Sequence, residues 1–145
     1  MNKRASKGFT MLETMIVLGV AMILITISVP IYDSYLKSTY RNGAKEALMD
    51  LSNVMQQVKY KKFSYNYAHT NGDLKSSVYP DYFVYNNENI YKLSVLNSSN
   101  TTFRLIASPL HTRVLGDGNL SLEYDGKKLI KKWDENNNGS YTSDW

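Results

Sequence analysis

The chain lacks cysteine altogether, and its 145 residues include only three prolines and two histidines. Without cysteine there can be no disulfide bond and no thiolate metal site. The histidines, His69 and His111, stand in no zinc-binding, Ser-His-Asp or glycine-rich phosphate-binding motif, and no pair of carboxylates suits acid–base catalysis. We therefore predict surface positions for both histidines, and a protein that is not an enzyme and has no required cofactor.

Acidic residues are absent from the first eight positions, which carry Lys3, Arg4 and Lys7. The chain has 17 basic and 13 acidic residues, so only 14 basic residues remain beyond this leader. Most of the positive excess therefore belongs to residues 1–8, and a basic end before an apolar span favours the cytoplasmic side of a membrane. The remaining charge gives weak support for nucleic-acid binding.

An apolar run from Phe9 to Val29 follows the leader and contains one acid, Glu13. As a helix it would extend about 31 Å, close to the ~30 Å of bilayer hydrocarbon. It is longer than the apolar core of a secretory signal peptide and reaches Pro30 without an Ala-x-Ala cleavage site. An ionised carboxylate in hydrocarbon costs roughly 2–4 kcal/mol. The run is therefore predicted to span a membrane, and Glu13 to have a specific role there.

The junction Lys7-Gly8-Phe9-Thr10-Met11-Leu12-Glu13 resembles the processing signal of type IV pilins and their relatives. A plain signal anchor would explain neither this junction nor Glu13. The resemblance implies that a prepilin peptidase and methyltransferase cuts after Gly8 and N-methylates Phe9. It also implies that Glu13, the fifth mature residue, pairs with the terminal amine of a neighbouring subunit during assembly.

Apolar residues recur at spacings of three and four beyond Pro30, which indicates an amphipathic helix: Ala44, Ala47, Leu48, Leu51, Val54, Met55 and Val58. We predict one helix from about Phe9 to about Lys62, kinked at Pro30. Residues 9–30 form its membrane and filament-core part, and residues 31–62 its amphipathic continuation. The pilin resemblance adds that the backbone between Gly19 and Pro30 could lose helicity on assembly.

Four runs with alternating apolar and polar residues indicate strands over 91–96, 102–107, 120–124 and 128–133. Residues 97–101 read as a polar hairpin loop, Asp125-Gly126 as a type I′ turn, and residues 64–89 as an irregular connection. The expected fold is α+β: a pilin fold with a long N-terminal α-helix packed on a four-stranded antiparallel β-sheet meander. Residues 63–145 make up the connection, the sheet and a C-terminal loop.

The C-terminal third is similar to PilE-type minor pilins, through Phe103–Pro109, a Gly118-x-Leu-x-Leu strand and a terminal Trp145. Many such pilins close their last loop with a disulfide, and here the corresponding positions are Asp117 and Asp144. Another interaction must then hold the tail.

A cation is one candidate for that interaction, because residues 134–139 match the first half of an Asp-x-Asn-x-Asn-Gly calcium loop. The proposed ligands are Asp134, Asn136 and Asn138. The position of the usual bidentate Glu holds Trp145 instead, and an ordinary Asn/Gly turn is the alternative.

These features predict a structural subunit of an extracellular type IV pilus, a minor pilin held as a single-pass inner-membrane protein before assembly. Its expected partners are other pilin subunits, the prepilin peptidase and the assembly platform in the inner membrane. A pseudopilin of a type II secretion system is the alternative. We also predict weak DNA binding at Tyr60-Lys61-Lys62-Phe63, because aromatic and basic side chains together can bind bases and phosphates.

Overall fold

A computed structural model describes residues 8–75, 77–78, 83–84, 90–134, 138–141 and 144–145. The chain divides into two compact units, Met1–Leu36 and Lys37–Trp145. One helix, α1 (Met11–Lys62), runs through both and is long and apolar enough at its start to cross a membrane, by length and composition. The predicted helix is thus confirmed, and Pro30 lies inside it.

The second unit is built around one face of α1. Ala44, Leu48, Leu51 and Met55 are fully buried in the same core cluster as the strand residues, as the three-and-four spacing predicts. Ser52, which the sequence pattern puts on the solvated face, is also buried, and its hydroxyl donates to the carbonyl of Met49 at 2.7 Å. A serine can be buried in a helix because its hydroxyl bonds to the preceding turn.

The sheet is an antiparallel meander. It consists of β3 (Phe83–Val84), β4 (Tyr91–Ser98), β5 (Phe103–Pro109), β6 (Asn119–Tyr124) and β7 (Leu129–Asp134), hydrogen-bonded in that order. The four long strands confirm the predicted α+β fold, and the two-residue β3 adds a short edge. Alternate residues of β4 and β5 are buried, as period-two alternation requires.

The segment after α1 contains more structure than the predicted irregular connection. Ser64 caps a short 3-10 helix (Tyr65–Ala68), and β1 (His69–Thr70) pairs with β2 (Asp73–Leu74) in a small hairpin. Asn71 and Gly72 both have positive φ, of 52° and 88°, as a two-residue type I′ turn needs. These elements are too short to produce a periodic sequence pattern.

The predicted type I′ turn at Asp125-Gly126 is wrong. Gly126 has φ 94°, but Asp125 is not among the residues with positive φ, and four residues separate the paired Tyr124 and Leu129. The Asp125 carboxylate instead accepts the amides of Lys127 and Lys128, each at 2.9 Å. This local side-chain turn competes with the two-residue turn and lengthens the loop.

Candidate functional site

The first unit presents an apolar surface. Between Phe9 and Val29 its large apolar side chains are exposed, with fractions from 53 % at Val20 to 85 % at Phe9. A soluble monomer rarely exposes so large a contiguous apolar area, so such a surface marks a membrane or protein contact. We therefore expect this segment to contact a membrane or another protein.

Glu13, the one acid in that segment, forms a reciprocal cap with Thr10. The Thr10 amide and hydroxyl donate to Glu13 Oε2 at 2.8 and 2.9 Å, and the Glu13 amide donates to the Thr10 hydroxyl at 3.3 Å. This is a capping box. Its Thr-x-x-Glu spacing is present in the sequence, although the cap was not predicted from it. The cap fixes the side chain at the start of α1, and no bond to Glu13 Oε1 is found among the described residues.

The carbonyl of Thr26 has no regular helical donor, because Pro30, four residues on, has no amide hydrogen. Two hydroxyls bond within this stretch: Thr26 donates to the carbonyl of Ile23 and Ser28 to that of Leu24, each at 2.7 Å. Hydroxyl bonds to the preceding turn often bend a helix. The kink at Pro30 remains a prediction.

A groove of about 400 Å³ lies at the end of α1 in the second unit. Val54, Val58 and Val78 supply its apolar wall, and Lys61, Lys62 and Lys75 supply ammonium groups, with further contributions from Gln57, Tyr67 and Ser77. None of the described lining residues is acidic, and none of the three lysines forms an ion pair within the described part of the chain. The groove therefore offers unneutralised positive charge over an apolar surface.

His69 is half-buried beside this region and is fully hydrogen-bonded. Its Nδ1 accepts the Gly72 amide at 3.3 Å, so Nε2 carries the proton and donates to the Ser98 hydroxyl at 2.7 Å. Burial lowers the pKa of His69, and the charge of Lys75 lowers it further. His111 accepts the amide of Arg113 at 3.2 Å. Both histidines are of intermediate burial, so part of each ring lies at the surface, as predicted.

Asp134, the first proposed calcium ligand, is fully buried. Its two carboxylate oxygens accept the amides of Asn138 at 3.2 Å and Gly139 at 2.6 Å, and Asn138 Oδ1 accepts the amide of Ser140 at 2.8 Å. Asn136 lies outside the described residues. The Asn138 bond is that of an Asx turn, whereas the Asp134 carboxylate closes the loop through amides four and five residues on. Calcium binding remains a prediction, and a calcium titration of the full chain monitored by thermal unfolding tests it.

Asp117 and Asp144, the positions that the pilin resemblance predicts to replace the cysteines of a disulfide, have different surroundings. Asp144 is exposed, whereas Asp117 is buried and accepts bonds from Arg41 Nε at 2.9 Å and from the Tyr91 hydroxyl at 2.7 Å. Burial and this bond to Asp117 raise the pKa of Tyr91 far above its usual value. A polar cluster therefore surrounds the position where the resemblance predicts one half of a disulfide.

Comparison with known protein families gives two matches, one at the N-terminal segment and one to the region that follows it. Residues 3–29 match the prokaryotic N-terminal methylation motif. Residues 30–118 match the family described as type IV minor pilin ComP, DNA uptake sequence receptor. The chain belongs to this family of type IV minor pilins. No curated protein and no solved structure matched the chain.

Membership in this family explains the exposed apolar helix. A minor pilin is a structural subunit, and the methylation motif fits processing by a prepilin peptidase and assembly with other pilins. The motif and the apolar helix also fit membrane anchoring before assembly into an extracellular pilus. The narrower similarity to PilE-type pilins remains a prediction.

Proposed function

We propose that this minor pilin is cut after Gly8, N-methylated at Phe9 and drawn from the inner membrane into the pilus through Glu13. The basic leader would stay in the cytoplasm, and the assembly platform would receive the processed helix. The observation that carries the proposal is the exposed apolar surface of residues 9–29 with its single carboxylate. Residues 31–62 would continue this helix into the domain of residues 63–145.

Glu13 has the chemistry required for subunit recruitment. Cleavage would create a cationic amine on Phe9, and its pairing with a neighbour's Glu13 would neutralise both charges where water is scarce. Loss of one member of such a buried pair typically costs about 3–5 kcal/mol. The capping box survives cleavage because Thr10 and Glu13 both follow the cut, and it holds Oε2 while Oε1 would be left to bond the amine of a neighbour.

The variant Glu13→Gln separates charge from capping, because glutamine also completes a capping box. We expect normal membrane insertion and cleavage, but strongly reduced amounts of the variant in purified pili. The matched control, Asp33→Asn, removes an acid further along α1 and should enter pili normally. Wild-type incorporation of Glu13→Gln, measured by immunoblot of sheared pili, would refute the assembly role of Glu13.

The secretion-system alternative predicts a different location. A pseudopilin would remain with a periplasmic fibre, whereas a pilus subunit is recovered from the cell surface. The family match, to type IV minor pilins, favours the pilus. Immunogold labelling of extracellular filaments distinguishes the two, and its absence from them would favour the secretion fibre.

The groove at the end of α1 favours DNA binding as a second function. ComP is described as a DNA uptake sequence receptor, and the lysine groove has the positive charge that phosphates require. Each phosphate neutralised on duplex DNA adds about 0.9 to the slope of log affinity against log salt. Lys61, Lys62 and Lys75 would therefore contribute a slope of up to about 2.7.

Fluorescence anisotropy with labelled duplex DNA and the full chain in detergent micelles tests this second function. The triple variant Lys61→Gln, Lys62→Gln and Lys75→Gln should bind more weakly and show a shallower salt slope. A control with the same type of change, Lys127→Gln and Lys128→Gln in the exposed hairpin loop, should keep the wild-type slope. An equal loss in both variants would argue for diffuse charge and against the groove.

A further inference from the structure

Phe63, the first residue after α1, has an unusual backbone conformation. Its φ is 59°, in the left-handed region, and its side chain is 80 % exposed. Helices commonly end with one residue in this conformation, but that residue is usually glycine, because a side chain with a Cβ is strained there. The chain therefore places a large aromatic ring in solvent at a position where glycine would be more stable.

The surrounding bonds hold Phe63 in this conformation. Its amide donates to the carbonyl of Lys59 at 2.7 Å, and the Lys59 ammonium donates back to the carbonyl of Phe63 at 2.8 Å and also bonds to the carbonyl of Asn100. The next residue, Ser64, donates its hydroxyl to the side chain of Asn100 at 2.8 Å. The ring thus projects from a backbone that is fixed on both sides.

The charges next to this ring identify the kind of partner. Lys61 and Lys62 precede Phe63 directly and line the groove, and the ring of Tyr60 is exposed as well. An apolar ring flanked by cations fits a polyanion with apolar stacked groups, which is the chemistry of nucleic acid. A strained, exposed residue that the surroundings maintain is also typical of functional positions.

We propose that Phe63 acts as a rigid wedge that enters a base step of bound duplex DNA while the lysines hold the phosphates. This inference rests on the DNA binding proposed above. Proteins that insert apolar side chains between base pairs unstack one step and kink the duplex. Pyrimidine–purine steps such as TA unstack most readily, so Phe63 would favour sites that contain one.

The variant Phe63→Gly gives a test that misfolding cannot imitate. It relieves the backbone strain, so its midpoint of thermal unfolding should rise by a few degrees. The same variant should lose the wedge, so that affinity for duplex DNA with a central TA step falls at least about fivefold. Phe63→Trp, which keeps a large ring, should retain binding, and Leu96→Ser, which removes another exposed apolar side chain, should behave as wild type.

DNA bending is the decisive measurement. Full-length protein in detergent micelles is mixed with end-labelled duplexes of about 20 base pairs, with either a central TA step or an A-tract, and energy transfer between the ends is recorded. The wild type should bend the TA duplex and prefer it, and Phe63→Gly should do neither.

Two further outcomes would overturn the wedge for different reasons. If Phe63→Gly bends DNA as strongly as the wild type does, the ring is at most a contact between pilins. This conclusion holds whether or not the variant is lost from pili. Absent DNA binding by the wild type would remove the DNA function itself, and salt-independent binding would remove the lysine–phosphate contacts that hold the wedge in place.

Discussion

Arg41 on α1 binds the buried carboxylate of Asp117 through two nitrogens. Nε donates to Oδ2 at 2.9 Å, and Nη2 donates to Oδ1. The guanidinium also lies 4.0 Å from the ring centre of Trp133, whose Nε1 donates to the carbonyl of Asp117 at 2.9 Å. With Tyr91 as a further donor to Oδ2, these contacts connect α1, β4, β7 and the segment before β6.

This cluster can replace the disulfide that the cysteine-free chain lacks. The pilin resemblance places one cysteine at the position of Asp117, where the polar bonds now fix the backbone without a covalent link. A carboxylate that is only 5 % exposed needs such partners, because an unpaired buried charge is strongly unfavourable. We infer that the cluster stabilises the segment that a disulfide holds in related pilins.

Removal of the Asp117 charge should therefore destabilise the second unit. Asp117→Asn leaves the Arg41 guanidinium without its counter-charge, and breaking a buried ion pair typically costs about 3–5 kcal/mol. Chemical denaturation of the full chain in detergent measures the change. The half-exposed pair of Arg104 and Glu123 is the control: Glu123→Gln should cost less than about 1 kcal/mol. Equal small losses would show that the buried cluster adds little stability.

The last residue, Trp145, should anchor the tail. Its ring lies 5.7 Å from the Lys45 ammonium and 5.1 Å from that of Lys131, and its Nε1 donates to the carbonyl of Ser121 at 3.2 Å. Each cation–π contact contributes about 0.5–1 kcal/mol at partly exposed sites, and the hydrogen bond about 1 kcal/mol.

Trp145→Ala should accordingly lower the free energy of unfolding by about 2 kcal/mol. Trp145→Phe keeps the ring and loses the bond to Ser121, so its loss should be about half as large. Limited proteolysis of both variants reports on the tail directly, with faster cleavage expected after Asp134 in Trp145→Ala. Unchanged cleavage would mean that the bonds from the Asn138 and Gly139 amides to the Asp134 carboxylate hold the tail alone.

Acid should destabilise the protein through His69. The folded-state pKa of His69 lies below its ordinary 6.5, mainly because of burial. The unfolded chain therefore takes up this proton first as the pH falls, so stability is complete above about pH 6.5 and declines through the lower, folded pKa. Protonation of Nδ1 would also end its role as acceptor for the Gly72 amide.

Unfolding free energies measured from pH 7.5 to pH 5 would detect this loss. The variant His69→Gln has no group that titrates in this range at position 69, so its stability should fall less with acid than that of the wild type. Parallel curves for the two proteins would mean that other groups cause the acid sensitivity.

Local sequence patterns predicted the long elements well. The helix to Lys62 and the four long strands follow from periodicities of 3.6 and two, which need only neighbouring residues. The turns were harder to predict. The Asn71-Gly72 turn is flanked by strands of only two residues, and the Asp125 carboxylate bonds to amides of its own loop. Asn-Gly is nevertheless the stronger type I′ signal of the two, and the sequence contained it.

The tertiary contacts could not be predicted from one sequence. Arg41 and Asp117 are 76 positions apart, and no local pattern indicates that they meet. The groove combines residues from the end of α1 with Lys75 and Val78, which approach only because the segment after α1 folds back. Glu13, by contrast, was singled out from its motif alone, and the Thr-x-x-Glu spacing of its cap by Thr10 is local enough to be read from the sequence as well.

The mature N-terminus in purified pili is the most direct test of assembly through the processed helix. Pili sheared from cells that express the full chain are digested, and the N-terminal peptide is identified by mass spectrometry. We predict a peptide that begins at N-methylated Phe9. Recovery of an intact leader, of a start other than Phe9, or of no peptide from this chain in the pilus fraction would contradict the account.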